Sequence, residues 1–245
     1  DIRMDPRNSD VMYVTDAWAG AFKSLDGGKN WFPINNGITT RTGRSGDGIP
    51  VFCLSIDPNN PDTLWAGTQF ASTVFRSDDA GASWYSMSRG ILEERMTIRG
   101  ITVEPRNSDV VYLAGEISSW EWNNGEALPG VGLDMTKGAV YKTTDGGQNW
   151  KLVSDRMDNA EAFHLNQIAP APDGNLYIAG ESGFVYRSAD GGENWDSLEP
   201  GYDGSFYGIV VVPNGSDDYE LLTYGLRGNL FRSTDKGETW DAIDS

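Results

Sequence analysis

The sequence predicts an all-β fold: a β-propeller of four-stranded antiparallel blades, with five blades visible. Three observations carry that expectation. An octet containing glycine and tryptophan recurs five times, a proline-rich turn precedes each copy, and short apolar strands flank both.

The octets read SLDGGKNW at 24–31, SDDAGASW at 77–84, TTDGGQNW at 143–150, SADGGENW at 188–195 and STDKGETW at 233–240. Each follows an aromatic residue and a base (Phe22-Lys23, Phe75-Arg76, Tyr141-Lys142, Tyr186-Arg187, Phe231-Arg232), as a strand running into a turn does. Ser/Thr, Asp, Gly and Trp recur in all five. In such a turn an aspartate accepts backbone N–H groups, a glycine takes positive φ, and the tryptophan returns on the next strand to cover the turn. Asp26, Asp79, Asp145, Asp190 and Asp235 therefore read as architectural, with calcium binding as the functional alternative. Trp31, Trp84, Trp150, Trp195 and Trp240 read as the staples of their hairpins. A tryptophan burying ~150 Å² stabilises by about 4 kcal/mol before entropy, which is a structural magnitude.

Proline-rich turns precede the octets: DPRNSD at 5–10, DPNNPD at 57–62, EPRNSD at 105–110, APDGN at 171–175 and VPNGSDD at 212–218. Apolar strands run in (VFCLSI, IRGITV, FYGIVVV) and out (VMYV, TLWAG, VVYLAG, NLYIAG, ELLTYG). The unit is strand A, proline turn, strand B, variable loop, strand C, octet, strand D. Repeated at about 45 to 50 residues it is a propeller blade, and the blades fall near 1–38, 49–90, 98–156, 163–201 and 205–245. Strand A of the first blade is short, and the last blade stops soon after its octet. Either five blades close by packing or the chain is part of a longer propeller, and the second is favoured.

Composition narrows the partners. The 245 residues hold 30 glycines, 9 tryptophans, 10 tyrosines and 9 phenylalanines, which suits short aromatic strands joined by tight turns. A net charge of -17 without a basic cluster disfavours nucleic acid and anionic membranes. Cys53 is the sole cysteine, so no intrachain disulfide or cysteine-rich zinc site forms. No apolar run approaches the roughly 18 residues of a membrane span, so no membrane insertion is expected. The chain opens on Asp1 without an initiator Met or signal peptide, as a processed chain or excised piece does. His164, the sole histidine, reads as structural and excludes a multi-histidine metal site.

Strand parity puts both repeated turns on one face and the B–C and D–A loops on the other. Binding belongs on that variable face. From turn proline to octet aspartate the separations are 20, 21, 40, 18 and 22 residues, so the third blade carries an insert at 116–138. Its Trp120 and Trp122, with Glu116, Glu121, Glu126 and Asp134, form either an ordered loop or a ligand platform. A second excursion, TTRTGRSGDGIP at 39–50, lies on the same face and suggests a cleft.

The octets resemble the Asp-box, S/T-x-D-x-G-x-T-W, of the BNR repeat superfamily. The motif is specific for fold and poor for function, because sialidases, xyloglucanases, sortilin-type receptors and photosystem II assembly factors share it. YVTDAWAGAFKSLDGGKNW followed by GIPVFCLSIDPNNPDTLWAGTQ resembles the opening of a glycoside hydrolase family 74 xyloglucanase. That resemblance implies a catalytic role for Asp16, at the position matching the aspartate of "RTDxGGxYRW". Where the family has two glycines after it, this chain has Ala17, Trp18, Ala19 and Gly20. The family's second carboxylate lies in a second propeller, so Asp16 would have to recruit Asp47, Glu116 or Glu181 to make the spacing an inverting glycosidase needs. A sialidase needs an arginine triad, for which Arg41 and Arg44, then Arg99, Arg156 and Arg227, are the candidates.

The resulting expectation is an extracellular or periplasmic recognition module for polysaccharide or protein. Trp18, Trp120 and Trp122 would bind, with Asp47, Glu116 and Glu181 among the acids around them. The competing expectations are a xyloglucanase-like endo-β-glucanase with Asp16 as general base, and an assembly factor or scaffold subunit.

Overall fold

A computed structural model describes residues 1–93, 95–118, 136–154, 164–215, 218–225 and 228–243. The chain is a five-blade β-propeller, and every blade is a four-stranded antiparallel sheet. The blades comprise β1 (Ile2–Asp5), β2 (Asn8–Asp16), β3 (Gly20–Ser24) and β4 (Phe32–Pro33), then β5 (Val51–Ile56), β6 (Leu64–Thr68), β7 (Val74–Ser77) and β8 (Tyr85–Ser86). The third holds β9 (Met96–Glu104), β10 (Asn107–Ser118), β11 (Thr136–Thr143) and β12 (Lys151–Leu152). The fourth holds β13 (Leu165–Pro170), β14 (Leu176–Gly180), β15 (Val185–Ser188) and β16 (Asp196–Leu198). The fifth holds β17 (Phe206–Pro213), β18 (Tyr219–Gly225), β19 (Leu230–Ser233) and β20 (Asp241–Ala242). Two compact units divide the chain: residues 1–113 with 142–151, and residues 114–141 with 152–245. Among the described residues no helix is long and apolar enough to cross a membrane.

The octet builds each C–D turn, but its hydroxyl carries a part of the load that the sequence assigns to the aspartate. In the second blade the buried Ser77 Oγ accepts the N–H of Gly81 at 2.9 Å and donates to Asp79 Oδ1 at 2.7 Å. Asp79 Oδ1 then accepts the N–H of Ser83 at 2.8 Å. The same hydroxyl–glycine bond joins Ser24 to Gly28, Thr143 to Gly147, Ser188 to Gly192 and Ser233 to Gly237. Paired glycines suit this turn because two consecutive residues take positive φ. Ala80 and Lys236 take the first of these positions at φ 55° and 62°, a left-handed backbone that is uncommon for residues with a Cβ.

The tryptophans serve two purposes. Trp31, Trp195 and Trp240 donate Nε1–H to the carbonyl of the glycine in their own octet, closing their hairpins as expected. Trp84 instead donates to Ile34 O at 2.7 Å and Trp150 to Met87 O at 2.6 Å, in the strand or connection of the preceding blade. Both are almost fully buried, whereas Trp31 is 36% exposed and covers its turn only partly.

Within each unit neighbouring blades stack face to face, so many inner-strand residues are buried on both sides. In the first unit Tyr13 and Ala21 of the first blade pack on Leu54, Leu64, Ala66 and Phe75 of the second. In the second unit Tyr177, Ala179 and Val185 of the fourth blade pack on Ile209, Leu221 and Phe231 of the fifth.

Candidate functional site

The B–C loops and D–A connections provide a candidate surface in each unit. In the first, Asp16 ends β2 and its Oδ1 accepts the N–H groups of Trp18 and Ala19, both at 2.8 Å. The carboxylate on which the resemblance places catalysis is thus also the cap of its own loop. Gly20 follows at φ 90°, and a Cβ there would lie 2.3 Å from the Asn35 side chain. Asn35 accepts the N–H of Ala21 at 2.8 Å and donates to Ala19 O at 3.1 Å, so the turn is fixed from both ends.

The excursion at 39–50 folds onto this loop. Thr42 and Gly48 exchange backbone hydrogen bonds at 2.9 and 3.1 Å, and Ile49 donates to Trp18 O at 2.8 Å. The Trp18 ring lies against two glycines, since a Cβ on either Gly43 or Gly48 would sit 3.3 Å from it. Its remaining surface is open: Trp18 is 54% exposed. Asp47 accepts a short hydrogen bond from Ser45 on the same excursion. Arg41 donates to Ile38 O and Thr40 O, so its guanidinium is engaged in holding this connection.

In the second unit the structure brings together two predicted carboxylates and a residue read as merely structural. His164 Nδ1 lies 2.8 Å from Glu116 Oε2 and 2.8 Å from Glu181 Oε1. One N–H shared between two acceptors points squarely at neither. Burial opposes charging the imidazole, but the two carboxylates outweigh it and push the histidine up to about 9. Glu116 is buried and Glu181 is half-buried, so these two predicted ligand-binding acids are already engaged with His164 within the fold.

Beside them the 181–184 turn packs on the connection that leaves the fourth blade. Gly183 has φ 81°, and a Cβ there would meet Tyr202 O at 1.6 Å, so only glycine fits. The two segments line an open groove of about 610 Å³ with Phe184, Tyr202, Glu199, Asp203 and Ser182. Sequence reasoning missed this groove. Its signals were the Ser-Gly pair between two strands and the Gly-Tyr-Asp-Gly run after Pro200.

The octet carboxylates face inward to their own turns. The Asn30 side-chain amide, its N–H and Ser24 hold Asp26 down at about 2, and Thr239 does the same for Asp235. Among the described residues no group of His, Cys, Asp and Glu is placed to hold a metal. Trp120, Trp122, Glu121, Glu126, Asp134, Arg156 and Arg227 lie outside the described residues.

The family described as photosynthesis system II assembly factor YCF48 matches residues 131–245. A xyloglucanase of Paenibacillus sp. is 26% identical over 195 residues, covering 73% of this chain and 18% of that protein. This chain therefore spans about a fifth of the length of that curated relative. Among solved structures, an ancestral GH74 enzyme matches 99% of this chain and 30% of its own, with 18% identity and a TM-score of 0.71. YCF48 from Cyanidioschyzon merolae matches all of this chain and 71% of its own, with 16% identity and a TM-score of 0.64. At such identity the structural likeness speaks to fold alone.

Proposed function

We propose that this chain, a β-propeller of the BNR repeat superfamily that includes GH74 and YCF48-like propellers, is an extracytoplasmic recognition module for a neutral β-glucan of the xyloglucan type. The observation that carries the reading is Trp18: a half-exposed indole backed by Gly43 and Gly48 on a loop fixed by Asp16 and Asn35. A rigid aromatic face on a loop capped by Asp16, with Asp47 on the excursion whose glycines back the ring, suits a sugar ring, which offers an apolar face and a hydroxylated rim. An uncharged polymer also avoids the penalty that a net charge of -17 imposes on an acidic ligand. The xyloglucanase relative supports this ligand class.

Binding without cleavage is favoured because Asp16 caps its loop and Glu116 and Glu181 are paired with His164, leaving Asp47 as the acid to complete an inverting pair. A second reading, recognition of protein in an assembly-factor role, draws on the YCF48 match over 131–245 and on the Phe184–Tyr202 groove with its two carboxylates. It suits a basic, aromatic-containing segment.

The test is binding to a panel of soluble glucans, with reducing ends followed on each. Retention of xyloglucan with no release supports the module; release that Asp16→Asn abolishes supports the hydrolase instead. Binding to no glucan refutes the favoured reading.

A further inference from the structure

The groove between the 181–184 turn and the 199–205 connection, both within the second unit, joins fixed aromatic rings to carboxylates that the fold leaves unneutralised. Phe184 belongs to the turn and Tyr202 to the connection, and both are half-buried. Tyr202 is held from behind. Its ring centroid lies 5.3 Å from that of Phe206 and 5.6 Å from that of Phe231, and Asn229 Nδ2 donates to its hydroxyl at 3.4 Å. A Cβ on Gly204 would lie 2.3 Å from the ring, so glycine there makes room for it. An aromatic face immobilised before binding has little freedom left to lose when a ligand arrives.

Glu199 and Asp203 complete the lining with Ser182, and no lysine, arginine or histidine contributes to it. Both acids are exposed, and neither forms an ion pair with a described residue. Other acids of this unit are engaged: Glu116 and Glu181 with His164, Asp173 with Lys236, Glu220 with Arg232 and Glu238 with Arg187. A groove with two free carboxylates repels an anion, and an apolar ligand would bury them without a partner. The complementary occupant is a cation with an apolar face.

We propose that this groove takes an arginine side chain of a protein partner, its guanidinium stacked on Tyr202 and hydrogen-bonded to Glu199 and Asp203. This rests on the protein-recognition reading of the same groove and narrows its basic segment to one residue type. A guanidinium is planar and weakly hydrated, so it lies on an aromatic face while its edge donates to carboxylates. The compact, strongly hydrated ammonium of lysine does not do both at once. Bonds from a cation to a carboxylate are also stronger than those between neutral groups. The net charge of -17 adds attraction at long range, which salt screens.

The test uses three short capped peptides, alike except for a central arginine, lysine or citrulline, the last a neutral shape-mimic of arginine. Each is titrated calorimetrically into the parent chain and into the double variant Glu199→Gln, Asp203→Asn. Both substitutions are isosteric and at exposed positions, and circular dichroism verifies folding. The arginine peptide is expected to bind the parent chain, and more tightly than the lysine peptide. Loss of the charge on either side, in citrulline or in the double variant, weakens binding by about tenfold or more. Equal binding of the arginine and lysine peptides, lost in the double variant, overturns the guanidinium assignment and leaves the protein-recognition reading standing. An arginine peptide that does not bind, or that binds the double variant as well as the parent, removes both from this groove.

Discussion

Replacing Thr143 by Val separates the octet's hydrogen bonding from its packing. Thr143 is 1% exposed, and its Oγ1 accepts the buried N–H of Gly147 at 3.0 Å while donating to Asp145 Oδ1 at 2.7 Å. Valine keeps the volume and removes both bonds. An orphaned buried N–H costs about 1–3 kcal/mol and a lost bond to a carboxylate about 1.5–3, and because the two share one hydroxyl the total is expected near 3 kcal/mol. For a chain of this length about 2–4 °C is lost per kcal/mol, which places the melting temperature about 6–12 °C below the parent. Thr143→Ser is the control: it keeps the hydroxyl that four of the five octets use and loses one methyl, at about 1 kcal/mol. Thermal melts by circular dichroism compare the two. If Thr143→Val melts no lower than Thr143→Ser, the hydroxyl does not organise the turn and the account of the octets fails.

Other expectations follow from the charged groups and the thiol. Because Asp26 and Asp235 are held at about 2, below the 3.8 of an unfolded aspartate, their contribution is present above pH 3.8 and is lost as pH falls through about 2. Melting temperature therefore drops below pH 4, and Asp26→Asn makes that drop shallower; an unchanged slope contradicts the assignment. His164 has the opposite sign: its stabilisation is full below pH 6.5 and fades as pH rises through about 9. His164→Gln should remove a loss of stability between those values, measured by urea titrations at each pH. Cys53 is buried with its thiol pushed up to about 12, so a disulfide reagent should leave it unmodified in the native protein and react on denaturation. Rapid native labelling refutes that placement.

The propeller was legible because its parts repeat: five octets and five proline turns define blade, strand order and face without reference to tertiary packing. What the octet spelling could not show was where each tryptophan points. Trp84 and Trp31 occupy the same octet position, yet one bonds a neighbouring connection and the other its own glycine. That choice depends on how the preceding D–A segment approaches, a contact distant in sequence. The site was less legible for the same reason. Glu116 and Glu181 stood out as acids on the variable face, but their pairing with His164 joins three separate segments, and nothing local to any of them announces it. Trp18 was legible as a departure from the glycine-rich loop of the resembling family. Its support by Gly43 and Gly48 required the fold of the 39–50 excursion.

The octets hold the C–D turns of their blades, while the proposed recognition surface is centred on Trp18. The most direct measurement is calorimetric affinity for xyloglucan oligosaccharide, taken with melting temperature, for the parent chain, Trp18→Ala and Thr143→Val. Trp18→Ala is expected to weaken binding by about tenfold or more, the equivalent of about 1.4 kcal/mol, with little change in melting. Thr143→Val should melt earlier and bind as the parent does. Undiminished affinity in Trp18→Ala, or lost affinity in folded Thr143→Val, would contradict the division.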